Sequence, residues 1–189
     1  MIMRLKERLI RFRSFWIFPL LSFFLLYYTS EREHKGRLSN LIWLVPAGIF
    51  IWTLLEYGLH RFAFHMQVPL RNPVLRDMVN GSHLAHHASP RNPNTILVHS
   101  LYGLTVSAIL FAALSAILGS PFSASGVMMG IWIGFLYYEA VHYRVHFSLA
   151  SSGFIASQRR RHFYHHFTNN KRCFGVTSPL WDYVFGTKI

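Results

Sequence analysis

Acidic side chains are scarce in this sequence. Seven Asp and Glu stand against 19 Lys and Arg, for a formal charge of +12. A balance this basic suits nucleic acid or an anionic membrane surface. Charge of either sign is thin as well: 14% of residues are charged, 52% are hydrophobic, and the mean hydropathy is +0.26. That composition argues against a water-soluble globule and favours the bilayer over nucleic acid. A single cysteine, Cys173, excludes an internal disulfide and reads as a packed small side chain rather than a catalytic thiol. The 189 residues have room for one compact domain.

What is abundant is apolar runs and histidine. Arg4, Lys6, Arg8, Arg11 and Arg13 precede the run "FWIFPLLSFFLLYY", Phe15 to Tyr28. "TSEREHKG" follows it, with no A-x-A-like cleavage site, so the run reads as a retained first membrane segment. Leu41 to Leu59 and Ile96 to Leu118 are each long enough to cross a hydrocarbon core of about 30 Å as helices. Beyond the uncharged turn "GSPFSAS", Gly126 to Val141 makes a fourth run. Four crossings put both termini on one face. The loops expected on the other face hold three of the 19 basic residues, Arg32, Lys35 and Arg37, which makes the terminal face cytoplasmic. Arg159, Arg160 and Arg161 then read as a headgroup-facing patch.

Ten of the twelve histidines form four groups on that cytoplasmic side, at the ends of the apolar runs. His60 and His65 make HxxxxH. His83, His86 and His87 make HxxHH. His142 and His146 make HxxxH, and His162, His165 and His166 repeat HxxHH. Positions i, i+3 and i+4 share a helix face, so each triplet should offer its imidazoles to one small volume. Across HxxxxH an ideal helix turns the rings about 140° apart, so His60 and His65 need a helix break between them or separate ions. Ten imidazoles suit two metal ions with about five ligands each. A segment containing Glu56, a pair and a triplet is echoed by Glu139, a pair and a triplet, so the two halves should face each other and close one dinuclear site. Glu56 and Glu139, one turn before His60 and His142, are placed to receive the second ring N–H of those ligands. His34 and His99 stand outside every group and outside the expected site.

"EYGLHRFAFH", "HLAHHASP", "YEAVHYRVH" and "HFYHHFTNNKRCFGVTSPLWDYVFGT" together resemble the fatty acid hydroxylase and sterol desaturase superfamily, and within it most closely the fatty acid 2-hydroxylases. The likeness covers about residues 54–187, and the closing "FGVTSPLWDYVFGT" carries the resemblance to the 2-hydroxylase branch. It implies an all-α integral membrane protein with about four transmembrane helices and a cytoplasmic histidine-rich dimetal cap. It also implies one membrane-embedded domain over 1–189, with residues 1–14 as a basic cytoplasmic N-terminus. The ten histidines would hold two iron ions. O2 would be the co-substrate, and the hydroxyl would enter next to the carbonyl of a fatty acid or a sphingolipid-type acyl amide. Many relatives carry a fused cytochrome b5 domain. Here about 14 residues precede the first apolar run, so a separate donor such as a cytochrome b5 or ferredoxin is expected. Phe147 and Asn92 depart from residues common in relatives, a histidine and an aspartate, and bear on lipid preference. Zinc can occupy an all-imidazole site but lacks the redox chemistry that O2 requires.

Arg61 and Arg144 are candidates to attract the acidic end of the lipid, although cytoplasmic-face anchoring explains them equally well. Asp182 and the aromatics of "WDYVFGT" read as structural, holding a terminal turn and anchoring the tail. Other readings remain open at this level: a lipid desaturase, a sterol or carotenoid hydroxylase, or a membrane metal store or transporter. The centres of the apolar runs lack ionisable residues, which disfavours transport. The bilayer would be endoplasmic reticulum in a eukaryote and inner membrane in a bacterium.

Overall fold

The computed structural model describes residues 13–33, 38–65, 69, 71–72 and 82–189. His34, Lys35, Arg37 and the basic residues before Arg13 lie outside the described residues. Among the described residues every regular element is helical. These are α1 (Ser14–Glu33), a 3₁₀ turn (Leu38–Asn40), α2 (Leu41–Gly58) continued by a π-helical turn (Leu59–Phe64), α3 (Ser82–Ala88), α4 (Ser100–Leu118), α5 (Pro121–Phe147), α6 (Gly153–Phe167) and α7 (Leu180–Val184). Three stretches have the length and apolarity to cross a bilayer: Leu38–Phe64, Ser100–Leu118 and Pro121–Phe147. The described residues are therefore those of an all-helical membrane protein. α1 is a 20-residue helix that falls outside this set.

Two expected boundaries move, each for a local reason. In "GSPFSAS" only Gly119 and Ser120 make the turn, and Pro121 onward is already α5. Proline is accepted in the first helical turn, where its missing N–H has no intrahelical duty, and the Ser120 hydroxyl caps the helix by accepting the Ser123 N–H at 3.0 Å. The third apolar run becomes helical only at Ser100. Ile96 to Val98 form a loop whose polar backbone groups are taken by α5, as described below.

The described residues divide into two compact units, one made by the chain up to Trp52 with Ser100–Leu136, the other by Thr53–His99 with Tyr137–Ile189. In the first, α2 and α5 touch backbone to backbone. A Cβ built on Gly130 would stand 2.8 Å from the Gly48 Cα and 2.9 Å from the Ile49 nitrogen, with the Val45 carbonyl closer still. Gly126 and Gly134, one turn away on either side, receive Leu44 and Trp52. Between apolar helices in lipid, such small-residue seams supply the close packing that hydrophobic exclusion cannot. Phe18 of α1 is buried against Trp132 and Phe135, at centroid distances of 5.6 and 5.2 Å. Trp132 donates its indole N–H to Ser107 of α4.

Candidate metal centre

All ten grouped histidines lie in the second unit, and they sort into two sets of five. His60, His65, His83, His87 and His165 form one, and His86, His142, His146, His162 and His166 the other; within each set one nitrogen per ring lies within 4.8 Å of the rest. Neither HxxHH triplet stays together. The outer two rings of each join the pair from their own half of the chain, and the middle ring joins the opposite set. An α-helix explains the division. Positions i and i+4 are about 40° apart, whereas i+3 lies about 100° from i+4. A triplet therefore spans two neighbouring volumes, not the single volume expected from spacing alone.

The HxxxxH pair is reconciled by the π-helical turn between its members. With i→i+5 closure, five residues make about one full turn, and His60 and His65 return to the same side. Their rings stack at 5.3 Å and 15°. His99 is exposed and outside both sets.

Burial keeps these imidazoles neutral. The His86 and His87 pKa values are pushed down to about 3, first by burial and then by neighbouring rings, His146 foremost for His86 and His165 for His87. Burial lowers His165 to about 4, against the opposing hydrogen bond to the Arg172 carbonyl. His65, His83, His162 and His166 are lowered for the same leading reason. Neutral imidazole is the form that ligates a cation.

The Nε2 atoms face inward. His162 Nε2 lies 3.0 Å from that of His142 and 2.9 Å from those of His146 and His166. One Nε2 carries at most one proton, so three such approaches cannot all be hydrogen bonds. Two nitrogens bound at about 2.1 Å to one ion are separated by about 3.0 Å at right angles and about 4.2 Å when opposed. The short approaches in both sets, 3.0 Å between His65 and His165, 3.1 Å between His83 and His87 and 3.1 Å between His86 and His146, match the right-angle spacing. His60 Nε2 is buried with no hydrogen-bond partner among the described residues, as a ligand atom would be without its ion.

The outer nitrogens show where the expected carboxylate contacts went. His60 Nδ1 lies 2.6 Å from the Phe174 carbonyl, His142 Nδ1 lies 3.1 Å from that of Ile96, and His165 Nδ1 lies 2.7 Å from that of Arg172. A carbonyl only accepts, so each Nδ1 carries the proton and each Nε2 keeps its lone pair. Glu56 and Glu139, both buried, act on the backbone that supplies these carbonyls. Glu56 accepts the N–H groups of Val176 and Thr177 at 2.6 and 2.8 Å and the Thr177 hydroxyl. Glu139 accepts the Val98 N–H at 2.8 Å.

The candidate lipid-binding arginines differ. Arg61 donates to the Tyr57 hydroxyl at 2.7 Å and lies over the rings of Tyr57, Phe62 and Phe174. Arg144 is exposed near the end of α5. Asn92, one of the departures from the family pattern, accepts the Asn94 N–H with its side-chain oxygen. A small cavity of about 10 Å³, lined by Phe64, Thr95–Val98, Tyr138, His83, His86 and His142, touches rings of both sets.

Membrane-length apolar helices and two five-imidazole clusters define a membrane protein equipped to bind metal. Comparison with known proteins narrows this: residues 45–187 match the fatty acid hydroxylase family, and the chain belongs to it. Rat fatty acid 2-hydroxylase is 33% identical over 153 residues, 80% of this chain and 41% of that protein. The dihydroceramide fatty acyl 2-hydroxylase of Arabidopsis thaliana is 33% identical over 165 residues, 85% of this chain and 67% of its own. A solved structure of full-length scs7p, in which only the hydroxylase domain is visible, superimposes with a TM-score of 0.74 at 26% identity, over 92% of this chain and 66% of that one. The chain spans 41–45% of the length of the mammalian relatives it matches.

Proposed function

We propose that this protein is an O2-dependent membrane monooxygenase that hydroxylates C2 of a fatty acyl chain, in a free fatty acid or a sphingolipid-type acyl amide. The convergence of ten imidazoles into two sets of five carries the reading. His60, His65, His83, His87 and His165 would hold one iron ion and His86, His142, His146, His162 and His166 the other. Bound iron supplies the redox chemistry with O2 that no side chain here possesses. The names of the relatives, fatty acid 2-hydroxylase and dihydroceramide fatty acyl 2-hydroxylase, support the acyl substrate and the position.

The protein's own part is to hold and to exclude. Burial keeps the rings uncharged, and carbonyls orient three of them. Phe64, Phe174 and Tyr138 pack directly on the histidine rings and limit water. The cavity touching both sets has room for about one water-sized group beside the rings. Arg61 rims an apolar cleft of about 370 Å³ with Leu54, Leu55, Phe62 and Phe185, and would meet the polar end of the lipid there. Arg144 offers a second cation. The chain would act as one catalytic domain with four crossings and both termini cytoplasmic, in the endoplasmic reticulum or a bacterial inner membrane. A cytochrome b5 or ferredoxin would supply electrons.

Lipid profiling under ¹⁸O2 tests this. Cells expressing the protein should accumulate 2-hydroxyacyl lipids carrying one ¹⁸O, and cells expressing His86→Ala should not. Labelled sterol or carotenoid products, new double bonds, or an unchanged lipid profile would refute the assignment.

A further inference from the structure

Only seven acidic residues occur in the sequence, and three of them, Glu56, Glu139 and Asp182, are buried in the second unit. Burying a carboxylate is costly unless hydrogen bonds satisfy it. Asp182 of α7 accepts the Phe174 N–H and the Gly175 N–H, each at 2.9 Å, and the Thr187 hydroxyl at 2.7 Å. Glu56 takes the next two N–H groups, of Val176 and Thr177. Two carboxylates thus gather four consecutive backbone donors, Phe174 to Thr177.

The same segment presents two carbonyls to the first histidine set. Arg172 accepts from His165 and Phe174 accepts from His60. Between them Cys173 has φ of 58°, in the left-handed region, a strained conformation that persists only where surrounding bonds over-determine it. Gly175 is required as well, since a Cβ there would strike the Ser178 carbonyl. The second set has a simpler counterpart: Glu139 holds the Val98 N–H, and two residues earlier the Ile96 carbonyl accepts from His142.

We propose that Asp182 and Glu56 are positioning residues for one metal site alone, clamping Arg172–Thr177 so that its carbonyls fix His60 and His165, while Glu139 serves the other site through Ile96–Val98. The inference rests on the metal-holding reading above. It assigns a task to the C-terminal "FGVTSPLWDYVFGT" that sequence reading left as structure.

The test uses the full chain in detergent micelles with Zn²⁺ alone as probe, so that binding is read without turnover. Wild type should take two tight equivalents, one for each histidine set. Asp182→Ala and Glu56→Ala should each keep one and bind the other about 10–100-fold more weakly, the cost typical of losing an outer hydrogen-bond partner. Glu56→Gln should restore both, because its carbonyl can accept both N–H groups and its amide can donate to the Thr177 hydroxyl. Asp182→Ala combined with loss of both His142 and His146 should leave no tight site, since three imidazoles then remain in the second set, whereas Asp182→Ala combined with loss of both His60 and His165 should leave one. Should Asp182→Ala fail to fold, the Glu56→Ala and Glu56→Gln pair decides alone, with far-UV circular dichroism confirming helix content. Two unchanged sites in the Ala variants, equal weakening of both sites, or a Gln variant no better than Ala would overturn the proposal. A wild type that binds no Zn²⁺ tightly would instead sink the metal reading and this inference with it.

Discussion

Replacing Gly130 with alanine should destabilise the protein, although the same change usually strengthens a helix. In a helix interior Ala is favoured over Gly by about 0.8–1.0 kcal/mol. Against that, the new methyl would stand 2.8 Å from the Gly48 Cα. Ordinary carbon–carbon contact is about 3.5–4.0 Å, so α2 and α5 must part by roughly 1 Å at their crossing. Overpacking of this kind costs about 1–3 kcal/mol, and a clash with backbone rather than a flexible side chain lies toward the upper end, which leaves a net loss of up to about 2 kcal/mol. For a chain of this size that is a melting point lower by up to about 8 °C. Gly58 supplies the opposite sign: it is helical, and a Cβ there meets nothing within 4 Å, so Gly58→Ala should gain about 0.5–1 kcal/mol. Thermal unfolding in micelles, followed at 222 nm, reads both. A Gly130→Ala protein as stable as Gly58→Ala would show that the two helices do not meet at that glycine.

Loss of one imidazole should act on one set: His165→Ala and His86→Ala should each leave one of the two metal equivalents by elemental analysis while eliminating hydroxylated product. The chelated protein should lose stability as pH falls. His86 and His87 titrate near 6.5 when unfolded and at about 3 when folded, so between those values the unfolded chain binds the extra protons and is favoured; denaturant midpoints from pH 7 to 5 should decline monotonically. Arg61→Ala should remove a charged hydrogen bond to Tyr57 and a guanidinium lying over three rings, costing about 1–3 kcal/mol in the same melting assay.

The ten histidines, the helical class and the apolar runs were legible because each leaves a side-chain pattern. Spacing placed every triplet on one side of a helix but could not say that its middle ring leans into a different volume, since that depends on which other helices flank it. The π-helical turn was signalled only indirectly, by an HxxxxH spacing that an ordinary helix cannot bring together. Glu56 and Glu139 were noticed for their closeness to His60 and His142, yet their partners are backbone amides of Val176, Thr177 and Val98, which no residue type announces. Ile96 to Val98 looked like membrane helix because hydropathy cannot register that their peptide groups are claimed by a buried carboxylate and an imidazole. Asp182 gave no sign of its four-amide clamp shared with Glu56, for the same reason.

The exchange of His86 and His165 between the two sets has a consequence for how the molecule is made. Each cluster borrows a ring from the other half of the chain, and neither can be completed until α6, which carries His162, His165 and His166, has left the ribosome. A chain that ends before α6 therefore has neither set complete, and both wait for His162, His165 and His166 to arrive together.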